Sequence, residues 1–280
     1  MSPTGEIVLE QIAHQPSIYL DQWAWGLLSE NEILCNEFIS ISSKVNASIM
    51  YSYLTFYEMA KVNDPQQIKA YIKVMDNLDY GLINTDFGQI IDSENRYECS
   101  PGTFLEANPI VDGELMKEFA TICNPLKEFQ ISNFLNKLRE EITTFGEDKY
   151  KKLTNTFDEN LTPFLEEARQ DNEAVARGKK RNASKVLQRN HPPYTRDILR
   201  IAIDFLLLNK TMKMNKNEWV DIFHTIVPVA YLDFVLLDNR WYSFIKDRCQ
   251  LKSPKIAKVY SKQQMGEFFM DLSNFKLPIK

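Results

Sequence analysis

The stretch Glu218-Trp219-Val220-Asp221-Ile222-Phe223-His224-Thr225-Ile226-Val227-Pro228-Val229-Ala230-Tyr231-Leu232-Asp233-Phe234-Val235-Leu236-Leu237-Asp238 decides the fold class. It reads as one helix followed by one buried strand. Ile222, Thr225, Ile226 and Val229 recur at helical spacing, with Asp221 beside them. Phe234 to Leu237 is an unbroken apolar run, as in a parallel strand covered on both faces. Asp238 stands where that strand ends. Ligands of open α/β sheets gather outside the carboxyl ends of the strands. A carboxylate there is a candidate functional group, and so is any other acid at a strand end.

Toward the N-terminus, Ser17 to Leu20 is a short apolar strand candidate that ends at Asp21, and a helix is expected from Gln22 to Leu28. A helix N-cap is the plain use of Asp21, compatible with a second role. Ala47 to Leu54 reads as another strand. Thr55-Phe56-Tyr57-Glu58 follows it and reads as a capping box, in which Thr55 and Glu58 close a helix start. Glu58 would then face the same side as Asp21. Ile68 to Leu78 is amphipathic and ends near Gly81. Residues 82 to 112 read as irregular, with Pro101, Gly102 and Pro109 as breakers. Asp86, Asp92 and Glu94 fall there without an assigned face.

From Glu114 to Arg189 the chain turns charged, Gly-poor and helical. Phe129, Phe134, Leu135, Leu138 and Ile142 outline one helix. Tyr150, Leu153, Phe157, Leu161, Phe164 and Leu165 outline one or two more, with a break expected at Pro163. The segment closes on a basic run, Arg177, Lys179, Lys180, Arg181, Lys185 and Arg189. Such a run is a solvated or mobile loop, or it holds phosphate backbone. Beyond His191-Pro192-Pro193 a buried helix starts near Thr195. After Asp238 come a helix from Arg240 to Ile245, a last strand from Ala257 to Tyr260, and a closing helix from Gln263 to Leu272. The expected fold is α/β with a parallel sheet, in three stretches: residues 1 to 112, a helical insertion at 113 to 190, and residues 191 to 280.

The chain has 280 residues, 44% hydrophobic and 25% charged, which is ordinary for a globular protein. A net charge of −5 excludes a wholly basic nucleic-acid binder, so a polyanion partner needs a local patch. The four cysteines are scattered without metal-ligand spacing and read as free thiols of a reducing cytoplasm. Three histidines, His14, His191 and His224, make no local zinc motif. His224 reads as a helix histidine satisfied by its surroundings. Met1 to Glu10 has no leader pattern, and no apolar run is long enough to span a membrane. No phosphate-binding G-x-x-x-x-G-K-[ST] loop is present. Trp23 and Trp25, near Asp21, read as core residues, with base stacking as the sharper alternative.

Four acids therefore stand out: Asp21, Glu58, Asp221 and Asp238. Two end strands, one follows a strand on a helix, and one rides the helix before the last main strand. Carboxylates crowded in one cleft repel one another unless a hard cation compensates, and oxygen ligands suit Mg²⁺ or Mn²⁺. A cation so held activates water and braces in-line displacement at phosphorus.

This order resembles the PIN-domain nucleases. Ile18-Tyr19-Leu20-Asp21 matches that family's opening strand and acid. Thr55-Phe56-Tyr57-Glu58 matches its Ser/Thr-x-x-Glu element. Asp221 and Val235-Leu236-Leu237-Asp238 match its third and fourth acids, and Asp233 and Asn239 fall where it often carries polar residues. The resemblance covers residues 17 to 62 and about 195 to 260. It implies a PIN-like parallel-sheet domain interrupted by the helical segment. It also implies Mg²⁺- or Mn²⁺-dependent phosphodiester hydrolysis, in RNA before DNA, with Asp21, Glu58, Asp221 and Asp238 catalytic and Asp233 an additional metal ligand. A toxin-type or defence-type ribonuclease under an inhibitory or regulatory protein partner falls within what it implies. The rival expectation is a catalytically idle interaction module that works through its helical middle.

Overall fold

A computed structural model describes residues 14–99, 110–123, 130–146, 148–183, 194–248 and 256–276. In chain order the elements are β1 Ser17–Leu20, α1 Gln22–Glu30, α2 Glu32–Lys44, β2 Ser48–Tyr51, α3 Tyr53–Ala60, α4 Pro65–Asn77, β3 Asp79–Leu82, α5 Phe87–Cys99, α6 Gly113–Cys123, α7 Ile131–Phe145, α8 Asp148–Gln170, α9 Asn172–Ala183, α10 Tyr194–Leu208, α11 Lys216–Tyr231, β4 Phe234–Leu236, α12 Asn239–Arg248, β5 Lys258–Tyr260 and α13 Met265–Ser273. The protein is α/β, mostly helical, and its strands pair in parallel. The chain forms two compact units: Met1–Asn84, Ile110–Gly146 and Lys262–Lys280 in the first, Thr85–Pro109 and Glu147–Ser261 in the second. The stretch expected as one helical insertion is shared between them, residues 113 to 146 going to the first.

In the first unit β2 pairs with β1 through Ser17↔Ser48 and Ile18↔Ile49, and with β3 through Ser48↔Asp79 to Tyr51↔Leu82. Every residue of β1 and β2 is buried, which is why both show as apolar runs in the sequence. Helix starts follow local capping chemistry. Asn31 caps α2 by accepting Leu34 N, and Asp64 caps α4 by accepting Gln66 N, with Pro65 in the first turn. Helix α2 gives way to Asn46 at φ 56°, a left-handed state that Asn tolerates.

The core of this unit is a chain of rings. Trp25 stacks on Tyr51 at 5.7 Å, Tyr51 on Phe56 at 5.1 Å, Phe56 meets Phe134 edge-on at 4.8 Å, and Phe134 reaches Phe119 at 6.2 Å. Such pairs add about 0.5–1.5 kcal/mol each beyond area burial. Trp25 is thus a core residue, 2% exposed.

In the second unit β4 pairs with β5 through Phe234↔Lys258 to Leu236↔Tyr260. Helix α11 is capped by Asn215, which accepts Asn217 N and Glu218 N, and it continues through Pro228. Buried residues run along it from Trp219 to Ala230.

Three expectations are corrected here. Residues 82 to 112 are not irregular throughout: they contain the end of β3 and all of α5, whose start is set by Asp86 Oδ1 accepting Gly88 N at 2.8 Å. Pro163 does not break α8, which runs unbroken across it. Proline removes one helical bond at that point, and neighbouring Thr162 is braced by Trp219, whose Nε1 donates to Thr162 Oγ1 at 2.9 Å. Arg177 to Ala183 is helix α9 and not a loop, while Lys185 and Arg189 lie outside the described residues. Cys35 and Cys123 are buried free thiols. Among the described residues no helix is long and apolar enough to cross a membrane.

Candidate functional site

Asp21 follows directly on β1, in extended backbone (φ −69°, ψ 163°), and its side chain accepts Gln22 N at 2.7 Å. The strand's alternation carries through it, so Tyr19 and Asp21 share one side. The expected capping box at Thr55 and Glu58 is corrected. Ser52 caps α3, with its backbone extended (φ −104°, ψ 165°) and its Oγ accepting Thr55 N at 3.2 Å. Thr55 is already inside the helix, and Glu58 lies one turn further, on the face that Thr55 occupies.

Between these two faces sits a buried hydroxyl cluster. Tyr19 OH lies 3.1 Å from Thr55 Oγ1 and 3.4 Å from Ser52 Oγ, and those two oxygens are 3.0 Å apart. Burial drives the Tyr19 phenol well above its ordinary pKa. The Ser52 and Thr55 bonds pull it back, and the Glu58 and Asp21 carboxylates push it further up. Both acids therefore lie within electrostatic reach of one hydroxyl. Glu58 also acts on Tyr71, which burial before all else pushes up to about 12. The first unit thus brings Asp21 and Glu58 into one neighbourhood at the carboxyl ends of β1 and β2. The cluster was missed in the sequence, although Ser52, placed after an apolar strand and three residues before Thr55, carried the signal.

In the second unit Asp238 follows β4 by two residues and caps α12: Trp241 N donates to Asp238 Oδ1 at 2.8 Å, and Tyr242 N to Asp238 O at 2.8 Å. Asp221 is half-buried in α11, and its carbonyl accepts Thr225 Oγ1 at 2.7 Å. Asp233 is half-buried in the link before β4, where its carbonyl accepts Lys258 N at 2.9 Å. Near the start of α11, Glu218 forms an ion pair with Arg240 of α12.

His224 is buried on α11, and desolvation lowers its pKa to about 4. The unfolded chain takes up a proton near pH 6.5 while the folded one does not. The contribution of His224 to stability is therefore fully present above pH 6.5 and is lost as pH falls from 6.5 to about 4. The loss amounts to on the order of 3 kcal/mol for this group. Urea titrations of wild type and His224→Phe across this range should show the variant losing less stability on acidification. Parallel curves would show that His224 is not the group responsible.

The basic run is only partly displayed. On α9, Lys179 and Lys180 are exposed, and Gly178 is buried. A Cβ at Gly178 would come within 3.1 Å of Leu207 Cδ2, so this residue allows α9 to lie close against α10. Arg177 is ion-paired to Glu173 at 3.4 Å and Asp171 at 3.8 Å. Arg181 belongs to the same helix.

Among the described residues no group of three or more His, Cys, Asp or Glu is placed to hold a metal ion. Mg²⁺, however, keeps several waters and is bound through one or two carboxylates plus substrate phosphates. Asp21 and Glu58 are half-buried, oxygen-only donors, the type of ligand that Mg²⁺ takes. Comparison with protein-family models, characterised proteins and solved structures finds no match for this chain.

Proposed function

We propose that the protein is a Mg²⁺- or Mn²⁺-dependent nuclease of PIN-like type, acting on phosphodiester bonds in RNA. The observation that carries the reading is the placement of Asp21 directly after β1 and of Glu58 on the helix that follows β2, at the carboxyl ends of two parallel strands, where α/β proteins bind ligands. Asp21 and Glu58, both of the first unit, would hold the cation. The cation, when bound, lowers the pKa of coordinated water and neutralises charge on the phosphate. The protein's own groups orient it: Ser52 and Thr55 fix the start of α3 and hence Glu58, and β1 sets Asp21. Lys179 and Lys180 would hold the nucleic-acid backbone.

Asp21→Asn tests the reading. Asn caps a helix as well as Asp does, so α1 keeps its start. The variant should lose RNA cleavage by roughly two orders of magnitude or more while its Tm stays at or above that of the wild type, because one of two neighbouring like charges is gone. Full cleavage by Asp21→Asn, or no Mn²⁺ uptake by the wild type, would reject the nuclease and favour the interaction module.

Substrate binding has its own check. Lys179→Ala with Lys180→Ala should weaken RNA affinity and reduce the slope of log K against log salt by about 1 to 2, since each phosphate contact on a single strand contributes about 0.7. An unchanged slope would leave the two lysines as solvated surface.

A further inference from the structure

We propose that the buried hydroxyl cluster of Tyr19, Ser52 and Thr55 is a positioning device that sets the separation of the Asp21 and Glu58 carboxylates and thereby their affinity for a divalent cation; this rests on the metal-dependent reading above. The argument is one of faces. Tyr19 and Asp21, two residues apart on one extended backbone, lie on the same side of the chain leaving β1. Thr55 and Glu58, three apart on α3, lie on the same face of that helix. The Tyr19–Thr55 hydrogen bond, 3.1 Å, joins the first pair to the second. It ties the strand end that carries one carboxylate to the helix face that carries the other.

Ser52 locks the joint. Its Oγ receives Thr55 N at 3.2 Å, lies 3.0 Å from Thr55 Oγ1 and meets Tyr19 OH at 3.4 Å. Three hydroxyls with one proton each can share these three contacts, so the cluster satisfies itself without water. All three residues are buried, Tyr19 and Ser52 at 0% exposure and Thr55 at 4%. A phenylalanine at position 19 would fill the same space without placing a polar atom in the core. The hydroxyl is therefore best explained by what it holds.

The test is calorimetric titration of MnCl₂ into the full chain, which needs no substrate and no turnover. Tyr19→Phe should raise the Mn²⁺ Kd about tenfold, the lower end of what losing a group that orients metal ligands costs. Thr55→Val should do the same, and Thr55→Ser, which restores the hydroxyl, should bind as the wild type does. Ser132→Ala removes a different partly buried hydroxyl bond in the same unit, the 2.6 Å bond to Asp76 Oδ1, and should leave the Kd unchanged. If Tyr19→Phe does not fold, the Thr55→Val and Thr55→Ser pair decides. Wild-type affinity in both Tyr19→Phe and Thr55→Val overturns the positioning role while the metal site stands. So does an equal loss in Ser132→Ala, which would reduce the effect to general loosening. A wild type that takes up no Mn²⁺, or takes it up undiminished after Asp21→Asn, overturns the nuclease reading itself.

Discussion

Arg169→Met is expected to destabilise the protein by about 4 kcal/mol, the largest effect of any single replacement considered. Arg169 is 5% exposed. Its guanidinium serves the end of α10: Nε and Nη2 donate to Leu206 O at 3.2 and 2.8 Å, and Nη2 also donates to Asn209 O at 3.0 Å and Met212 O at 2.8 Å. The last carbonyls of a helix have no partner within it, and a cation there also opposes the negative end of the helix dipole. A planar fork can serve several carbonyls at once; an ammonium cannot. Met keeps much of the packing volume but makes none of these bonds: the buried Leu206 O loses two guanidinium donors and the part-buried Met212 O loses one, while Asn209 O keeps Met212 N at 3.1 Å; a buried acceptor left without a donor costs about 1–3 kcal/mol. Glu166, which receives Nη1 at 2.6 Å, is half exposed and would be rehydrated, so the loss falls on the carbonyls. Thermal unfolding should show a Tm lower by roughly 10 °C, with Arg169→Lys in between. A Tm within a degree or two of wild type would mean that water replaces the guanidinium, and that the helix end is less closed than its burial indicates.

Glu94→Ala should have a comparable effect, about 3–4 kcal/mol, at the opposite end of the same helix. Glu94, on α5, is 0% exposed. Its Oε1 accepts Thr195 N at 2.9 Å and Tyr231 OH at 2.5 Å, and its Oε2 accepts Arg196 N at 3.2 Å. A carboxylate from 101 residues away thus caps α10, where orphan N–H groups and the positive end of the dipole both favour an anion. Alanine leaves these donors unmet and a cavity beside them. Glu94→Gln, whose amide keeps one acceptor oxygen, should cost about half as much, and Tyr231→Phe only about 1 kcal/mol. Urea unfolding of the three variants gives the ranking. If Gln costs as much as Ala, the charge and not the bond count holds the helix start.

Much of the fold could be read from periodicity. Strands β1, β2, β4 and β5, the helices after β1 and β4, and the acids that end those two strands were legible because each depends on a run of residues and its immediate neighbours. Strand β3 was not. Two of its four residues are buried, and Gly81 within it looked like the stop signal of α4. Helix α5 was hidden by its own polarity, with Gln, Asp, Ser, Glu, Asn and Arg between its apolar positions. The expected capping box was misplaced by three residues. Ser52 and Thr55 are both good caps, and the choice fell to Ser52 because its backbone is the one left extended where β2 ends.

The sequence alone determined that this is a parallel α/β protein with acids at its strand ends, since hydrophobic pattern and capping chemistry act over a few residues. Tertiary structure alone decided which polar side chains become structural. Glu94 was an unplaced acid in a stretch read as irregular, and Arg169 was one charge among many on a charged helix. Each became buried by meeting a helix end 37 or more residues away, Leu206 from Arg169 and Thr195 from Glu94. Tyr19 likewise read as one apolar strand residue, and its hydroxyl acquired a role only when folding brought Ser52 and Thr55, 33 and 36 residues on, to within hydrogen-bonding distance. Burying a charge or a hydroxyl is unfavourable unless its partners are already in place, and partners that distant in sequence are supplied by the packed chain.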